Sequence, residues 1–275
     1  MTIKAVIFDI GGVVVGSPVA AITRAEKLWK LPPHYLNALI TAYGDQGAFQ
    51  KLERGELELE DFYREFGDQL SNVERGNKAY QIYCRRVGKD CPELPKKLNK
   101  IDGKELWSLM MDPSTEPDPL VVNAINRLRA SGRYKIAALT NNFASAAGVP
   151  PRYHSTGSFR PVSAEELRKS LKESAKYSDS KGAGDDLLKG LFDEYVESCV
   201  EGLRKPDPKF FQLALDKLGV KAEEAVFLDD IGHNLIAAKK LGIRTIRCVH
   251  GRSQDAIKEL ETVLDLPLRD AESKL

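Results

Sequence analysis

The chain has 275 residues, of which 42% are hydrophobic and 29% are charged. This length suits one large domain, or a core domain with a smaller lobe, and the apolar content is enough for a full hydrophobic core. The 41 basic and 40 acidic side chains nearly cancel and leave a net charge of +1. Composition therefore gives no reason to expect binding to nucleic acid or to an anionic membrane surface.

Cysteine usage and hydropathy favour a cytoplasmic protein. No pair among Cys84, Cys91, Cys199 and Cys248 has a spacing typical of a zinc site or a CxxC motif. Unpaired thiols are therefore expected, and a disulfide between Cys84 and Cys91 is the less favoured alternative. No apolar stretch approaches the ~18 residues of a membrane helix. Since the N-terminus leads directly into a strand, we expect no signal peptide.

The first predicted element is a strand in the apolar, β-branched run Ile3–Phe8. Such a short run is typical of a central parallel strand that is buried on both faces. Asp9 follows it, where active sites of open α/β sheets lie. Gly11 and Gly12 allow a sharp turn that brings backbone amides close to an anion. Taken alone, the pattern equally suits a strand-ending Asp followed by an ordinary turn.

The next segment, Pro18–Asp112, is predicted to be entirely helical. Apolar and aromatic residues recur at helical spacing through Tyr35–Tyr43, Leu59–Phe66 and Tyr80–Val87. We interpret residues 18–112 as a helical cap inserted into a core that comprises residues 1–17 and 113–275. Core packing is the preferred interpretation for most of the cap's aromatic side chains.

A turn-rich linker, Met111–Pro119, leads back into strand and helix alternation. Asp118 is a good N-cap with Pro119 at the first helical position, and Gly132 is placed to end the helix. Tyr134–Thr140 is predicted to be the second core strand. Alternation of this kind predicts a doubly wound parallel α/β sheet.

The segment Ala144–Asp186 has little periodicity. Ser163 and Glu166 fit a capping box, with Leu167 and Leu171 on one face of a short helix. Beyond it, three more strands are predicted at Tyr195–Val200, Ala225–Leu228 and Ile243–Cys248, with helices between and after them.

Four ordered motifs point to a family. They are FDIGGVVV (Phe8–Val15), LTNN (Leu139–Asn142), RKPDPKFF (Arg204–Phe211) and FLDDIGHN (Phe227–Asn234). This set resembles the haloacid dehalogenase (HAD)-like hydrolase superfamily, most closely the branch that contains glucose-1-phosphatase-like proteins and the phosphatase domain of soluble epoxide hydrolase. The resemblance implies a Rossmann-like core with a helical cap.

The resemblance also gives residues 145–186 an interpretation, because the family's connection after the second motif is usually shorter. We therefore regard this segment as a loop insertion. A surface excursion without function is the favoured alternative, and a lid or a partner-binding arm is the other.

The resemblance implies a Mg²⁺-dependent phosphatase in which Asp9 attacks phosphorus and forms an aspartyl-phosphate. A carboxylate nucleophile, a divalent cation and hydrogen-bond donors are what such a reaction between anions requires. The predicted catalytic residues are Asp9, Thr140, Asn141 and Lys205. Substrate binding is assigned to Gly11, Gly12, Thr140, Asn141 and Lys205. The predicted metal ligands or their supports are Asp9, the Gly11 carbonyl, Asp229, Asp230 and Asn234.

One position departs from the family pattern. Phosphatases of this superfamily normally have an aspartate two residues after the nucleophile, which protonates the leaving group and then activates water. Gly11 occupies that position here, so help worth roughly 10²–10⁴ in rate is missing. By chemistry alone, His34, His154, His233 and Glu53 are candidates to replace it.

Three functions compete at this point. The favoured one is a phosphatase for a small phosphorylated metabolite, acting as a monomer or homodimer. The second is a catalytically weak protein that keeps the metal and phosphate site for a regulatory role, which Gly11 and the extra segment support. The third is a 2-haloacid dehalogenase, which needs no metal and lacks the paired carboxylates, so Asp229 and Asp230 count against it.

Overall fold

The computed structural model describes residues 2–143, 159–177 and 185–270. Its sheet has five parallel strands in the order β3-β2-β1-β4-β5. The strands are β1 (Ala5–Phe8), β2 (Lys135–Thr140), β3 (Glu194–Glu197), β4 (Ala225–Asp229) and β5 (Arg244–Arg247). The predicted α/β fold with a doubly wound sheet is confirmed.

Thirteen α-helices are present in the described residues. They are α1 (Pro18–Leu28), α2 (Tyr35–Ala42), α3 (Ala48–Glu53), α4 (Leu59–Leu70), α5 (Val73–Val87), α6 (Gly103–Met111), α7 (Pro119–Ser131), α8 (Ala164–Tyr177), α9 (Asp186–Lys189), α10 (Ser198–Glu201), α11 (Pro208–Leu218), α12 (Gly232–Lys240) and α13 (Ser253–Leu264). None of them is long and apolar enough to cross a membrane.

Alternate residues of the strands enter two different apolar clusters. Val6 and Phe8 of β1 face a cluster that includes side chains of α7, α8 and α13. Ala5 and Ile7 face the opposite cluster, which includes side chains of α11 and α12. Since successive side chains of a strand point to opposite faces, a four-residue strand can anchor both layers. This explains why β1 is apolar throughout and why the three-layer core is centred on it.

The helices α1–α6 build a third apolar cluster of their own. Its centre is aromatic: Trp107 packs edge-on against Phe62, with the ring centroids 4.9 Å apart, and Phe62 stacks on Phe66 at 4.8 Å. Packing therefore accounts for these rings, as the periodicity predicts. The division into a cap at residues 18–112 and a core stays a prediction, although the apolar cluster agrees with it.

The predicted strand Tyr195–Val200 is wrong in its second half. β3 ends at Glu197, which is paired with Thr140 at the end of β2. β3 is an edge strand with β2 as its only neighbour in the sheet, so its ladder cannot continue beyond that point. Ser198 instead exchanges hydrogen bonds with the backbone of Asn142, at 2.9 Å each, and starts α10.

The insertion contains a longer helix than predicted. The expected cap is present, since the Glu166 amide donates to Ser163 Oγ at 3.1 Å, but α8 then runs for 14 residues. Leu167 and Leu171 are fully buried against the core, so this part is a component of one helical layer rather than a surface excursion or a lid. Residues 145–158 and 178–184 of the insertion lie outside the described residues.

Replacing Leu171 with Ala should lower the free energy of unfolding by about 2–5 kcal/mol, because a fully buried leucine leaves a cavity. The matched control is Lys169→Ala on the exposed face of the same helix, which should change stability by less than about 0.5 kcal/mol. Urea unfolding followed by circular dichroism measures both. Equal stabilities of the two variants would show that α8 is not part of the core.

Candidate active site

The site lies where the carboxyl ends of β1 and β4 meet. From β1 the chain reaches its next strand on one side, β2, whereas from β4 it reaches β5 on the other side. Such a point, where the strand order reverses, opens a crevice at the carboxyl edge of the sheet. Phe8 is paired with Leu228, so Asp9 and Asp229 follow at the same level of adjacent strands. The register therefore brings the first and fourth motifs together.

Three carboxylates converge in this crevice and are here called the carboxylate cluster. Asp9, Asp229 and Asp230 each offer an oxygen, and these oxygens all lie within 4.8 Å of one another. Asp9 and Asp229 are buried, with 6% and 0% of their surface exposed. Three like charges at this distance repel each other in a buried site unless cations join them.

Lys205 supplies one of those cations. Its Nζ lies 2.8 Å from Asp9 Oδ1 and 2.9 Å from Asp229 Oδ2, and the side chain is 1% exposed. Burial alone would lower the pKa of Lys205, but the Asp229 and Asp9 carboxylates outweigh it and raise that pKa above its ordinary value. The lysine is therefore a fixed positive charge between the two strands. This placement excludes the alternative of a solvated loop lysine.

Asp229 is already saturated with hydrogen bonds. Besides Lys205, it accepts from the Ile231 amide at 2.7 Å and from Asn234 Nδ2 at 3.1 and 3.2 Å. Asn234 is placed at the first turn of α12 and therefore acts on the carboxylate of Asp229. In this arrangement Asn234 supports Asp229, while its own role as a metal ligand stays a prediction.

Asp230 differs from Asp229 because one of its oxygens has no partner. Its Oδ2 accepts from Ser17 Oγ at 3.3 Å, whereas the buried Oδ1 has no hydrogen-bond donor among the described residues. A buried oxygen of this kind costs free energy unless something binds it. A hard divalent cation is the fitting ligand, since Mg²⁺ prefers carboxylate oxygens.

Gly12 makes room for the Asp230 carboxylate. It has a φ of +85°, and a Cβ at this position would lie 2.2 Å from Asp230 Oδ2. No other residue type fits both the backbone conformation and the space. The Gly-rich turn therefore leaves space for the Asp230 carboxylate of the fourth motif, in addition to any role in binding the substrate.

The acidity of the carboxylate cluster reflects its burial. Desolvation is the largest influence on the pKa of Asp9; Asp229 and Asp230 add to it, Lys205 opposes it, and the result is a pKa well above the ordinary value. Burial and the neighbouring Asp229 carboxylate raise the pKa of Asp230 to about 6. A divalent cation at the cluster would favour the ionised forms of both groups.

The second and third motifs meet through Asn141 and Lys205. Asn141 Nδ2 donates to the Lys205 carbonyl at 3.0 Å, and the Lys205 amide donates to Asn141 Oδ1 at 2.8 Å. Thr140 lies buried at the end of β2. Asn141 therefore holds the backbone of Lys205, a contact that the sequence did not predict. The expected contacts of Thr140 and Asn141 with phosphoryl oxygens stay predictions.

Position 11 has room for a Cβ. Gly11 does not have a positive φ, and a Cβ there would meet only Pro18 Cδ, at an ordinary 3.5 Å. Neither backbone strain nor crowding therefore requires glycine here. The expected role of the Gly11 carbonyl as a metal ligand stays a prediction.

The candidate replacements for the acid are placed differently. Glu53 is buried and forms an ion pair with Arg204, whose Nη2 lies 2.5 Å from Glu53 Oε2. Burial raises the pKa of Glu53, and the attraction of Arg204 opposes this. His34 packs against Tyr83 within the helical region, and His233 is an exposed residue at the start of α12. His154 lies outside the described residues.

Sequence patterns did not reveal two contacts of the site, namely Ser17 with Asp230 and Phe143 with Trp107. Ser17 is eight residues from Asp9 and carries no motif signal. Phe143 directly follows the second motif, and its ring centroid lies 4.5 Å from that of Trp107. The first contact depends on the tertiary packing of two core loops and the second on how the helical region sits on the core, neither of which local patterns encode.

Comparison with known proteins identifies the family. The model of the haloacid dehalogenase-like hydrolases matches residues 3–242. The chain therefore belongs to this family of hydrolases, and the class of enzyme that the motifs and the sheet predict is confirmed.

Three relatives are similar to it. Acyl-CoA dehydrogenase family member 10 of Mus musculus is 32% identical over 266 residues, which cover 96% of this chain and 19% of that protein. Bifunctional epoxide hydrolase 2 of Sus scrofa is 27% identical over 274 residues, covering 98% and 40%. Glyceraldehyde 3-phosphate phosphatase of Methanocaldococcus jannaschii is 38% identical over 66 residues, covering 24% and 29%. The chain thus spans about a fifth to two fifths of the length of the two longer matches.

Asp230→Asn should remove a pH dependence of stability in metal-free protein. Because the pKa of Asp230 is raised from 3.8 to about 6, the folded state holds a proton that the unfolded state has lost. Stability is therefore expected to fall as pH rises from about 4 to 6, by at most roughly 3 kcal/mol for this group. Urea unfolding in chelator across this range measures the effect.

The matched control is Asp68→Asn, which changes an exposed carboxylate and should keep the pH slope of the wild-type protein. Mg²⁺ should raise the thermal midpoint of the wild type and of this control, but not of Asp230→Asn. If Asp230→Asn retains the wild-type slope, the Asp230 carboxyl is not buried against Asp229 as the structure shows.

Proposed function

We propose that the protein is a Mg²⁺-dependent phosphatase that hydrolyses a small phosphorylated metabolite through an aspartyl-phosphate on Asp9. One observation carries the proposal: the Asp9 carboxylate shares Lys205 with Asp229 and lies beside the partnerless oxygen of Asp230. Phosphoryl transfer to a carboxylate requires a nucleophile, a fixed positive charge and a carboxylate oxygen that is available to bind a divalent cation. A relative named as a phosphatase supports this class of reaction.

Asp9 has one oxygen engaged and one available. Oδ1 accepts from the Ile10 amide at 2.7 Å and from Lys205 at 2.8 Å, whereas no described residue donates to Oδ2. These bonds fix the plane of the carboxylate, so that the oxygen without a hydrogen bond is oriented for attack on phosphorus. Positioning of this kind supplies a large share of catalysis in phosphoryl transfer.

The remaining residues would balance charge and hold the phosphoryl group. Lys205 offsets the charge of Asp9 and of the incoming phosphate, and Thr140 and Asn141 are the expected donors to phosphoryl oxygens. Mg²⁺, held by Asp9, Asp230 and the Gly11 carbonyl, would stabilise negative charge on the phosphoryl oxygens. Asp229 and Asn234 support this arrangement by orienting Lys205 and each other.

The carboxylate cluster argues against the dehalogenase alternative. Displacement of a halide by Asp9 requires no cation, and three close carboxylates would only repel the anionic substrate. A bound cation would satisfy the Asp230 oxygen that has no hydrogen-bond partner among the described residues. The regulatory alternative is supported by Gly11 alone, because the described part of the insertion is packed into the core.

Asp9→Asn should abolish Mg²⁺-dependent hydrolysis of p-nitrophenyl phosphate, because an amide is too weak a nucleophile to form the phosphoenzyme. Nitrophenolate release with and without Mg²⁺ measures this, and the activated leaving group needs little protonation. Asp193→Asn, a carboxylate remote from the cluster, serves as the control and should keep wild-type rates. Wild-type protein that binds Mg²⁺ and phosphate but hydrolyses nothing would favour the regulatory alternative.

Gly11→Asp should raise the hydrolysis of alkyl phosphates, by up to about 10²–10⁴, because it adds the missing acid where the structure has room. Hydrolysis of p-nitrophenyl phosphate should change far less, since that leaving group departs unprotonated. Gly11→Asn is the matched control, having the same shape without an acidic proton. If Gly11→Asp and Gly11→Asn hydrolyse both substrates at the same rates, the absence of an acid at position 11 is not what limits the hydrolysis of alkyl phosphates.

A further inference from the structure

The helical region contacts the core beside each of the two loops that carry predicted phosphoryl-binding groups. We call residues 141–143 the Asn141 loop and residues 202–207 the Lys205 loop. Arg204 precedes Lys205, and its Nε and Nη2 lie 2.7 and 2.5 Å from Oε2 of Glu53 at the end of α3. Glu53 is buried, so this is a desolvated ion pair with two donors on one oxygen.

The end of α3 also fits closely against the residues that lead into the Lys205 loop. Gly55 has a φ of +71°, and a Cβ there would lie 2.7 Å from the carbonyl oxygen of Cys199 in α10. The approach of the two backbones is therefore as close as glycine permits. Together with the ion pair, it holds the Lys205 loop from the side of the helical region.

The Asn141 loop is held by an apolar contact. Phe143 is part of the apolar cluster of α1–α6 although it lies in the core half of the chain. Its ring meets that of Trp107 at 4.5 Å and an interplanar angle of 73°. Since Phe143 is two residues from Asn141, a shift of the helical region would move the Asn141 loop with it.

The two loops are coupled to each other, and the carboxylate cluster, which Lys205 also contacts, has further support from its own backbone amides. The reciprocal hydrogen bonds between Asn141 and Lys205 join the loops. Asp9 and Asp229 also accept from the adjacent amides of Ile10 and Ile231 within the core. The helical region therefore acts first on the cationic and amide side of the site, while the carboxylates keep hydrogen bonds to backbone amides of their own loops.

We propose that the helical region positions Lys205 and Asn141 for the phosphoryl group through two contacts, Glu53 with Arg204 and Trp107 with Phe143. These four are positioning residues, and the inference rests on the proposed phosphatase function. The helical region would thereby help to organise the phosphate site itself.

Glu53→Gln tests the first contact, with Glu56→Gln as the matched control. Glu56 is exposed and pairs with Arg54 just beyond the same helix, so the control removes a nearby ion pair that does not touch the site. In Glu53→Gln, kcat for p-nitrophenyl phosphate should fall about tenfold or more. Binding of inorganic phosphate, measured by calorimetry, should weaken about tenfold, whereas Mg²⁺ affinity should change little.

Phe143→Leu tests the second contact independently and guards against a folding defect in Glu53→Gln. Like Glu53→Gln, this substitution should weaken phosphate binding and leave Mg²⁺ binding nearly unchanged. If the affinities for phosphate and for Mg²⁺ fell equally, this would indicate a general structural defect and would overturn the inference. The inference would also be overturned if both variants kept the wild-type phosphate affinity and kcat. In that case the phosphatase proposal would still stand. A wild-type protein that neither binds inorganic phosphate nor hydrolyses p-nitrophenyl phosphate would overturn the proposed function.

Discussion

The ammonium group of Lys205, held between Asp9 and Asp229, is the interaction on which the rest of the site depends. Two buried carboxylates on adjacent strands would repel each other, and the lysine offsets this at 2.8 and 2.9 Å. Its burial is sustained only because the two carboxylates keep it charged. A third carboxylate, Asp230, exceeds what one lysine can offset, and it retains a partnerless oxygen. This charge imbalance is the physical basis on which we propose a divalent cation at the cluster.

Sheet topology places these charges together. β1 lies in the middle of the sheet with β2 and β4 on either side, so that the loops after three neighbouring strands open into one crevice. The central strands β1 and β4 are almost wholly apolar, and β1 anchors helices on both faces. Rigid, buried strands therefore hold polar groups at their ends, where a small shift would change each distance in the site.

Sequence alone was sufficient where local chemistry decides the structure. Asp118 caps α7 as its position before proline predicts, and the apolar run before Asp9 forms the predicted strand β1. Prediction failed where contacts between residues far apart in the sequence decide the local structure. Tyr195, Val196 and Val200 favour a strand, yet β3 stops where its neighbour β2 stops, and the Ser198 hydroxyl donates to the Asn142 carbonyl instead. The contacts of Ser17, Arg204 and Phe143 likewise join residues whose motifs say nothing about each other.

The departure at Gly11 separates two parts of the chemistry that the family usually combines. Forming a bond from Asp9 to phosphorus needs the nucleophile, positive charge and positioning, and the residues for these are present and mutually hydrogen-bonded. Proton transfer to a leaving group needs an acid, and position 11 provides none although it has room for one. Glu53, the buried carboxyl among the candidates, is held by Arg204 in an ion pair; burial raises the pKa of Glu53, and the attraction of Arg204 opposes this. On the proposed function, Glu53 is engaged in positioning Arg204, and substrates with good leaving groups are the ones we expect this site to favour.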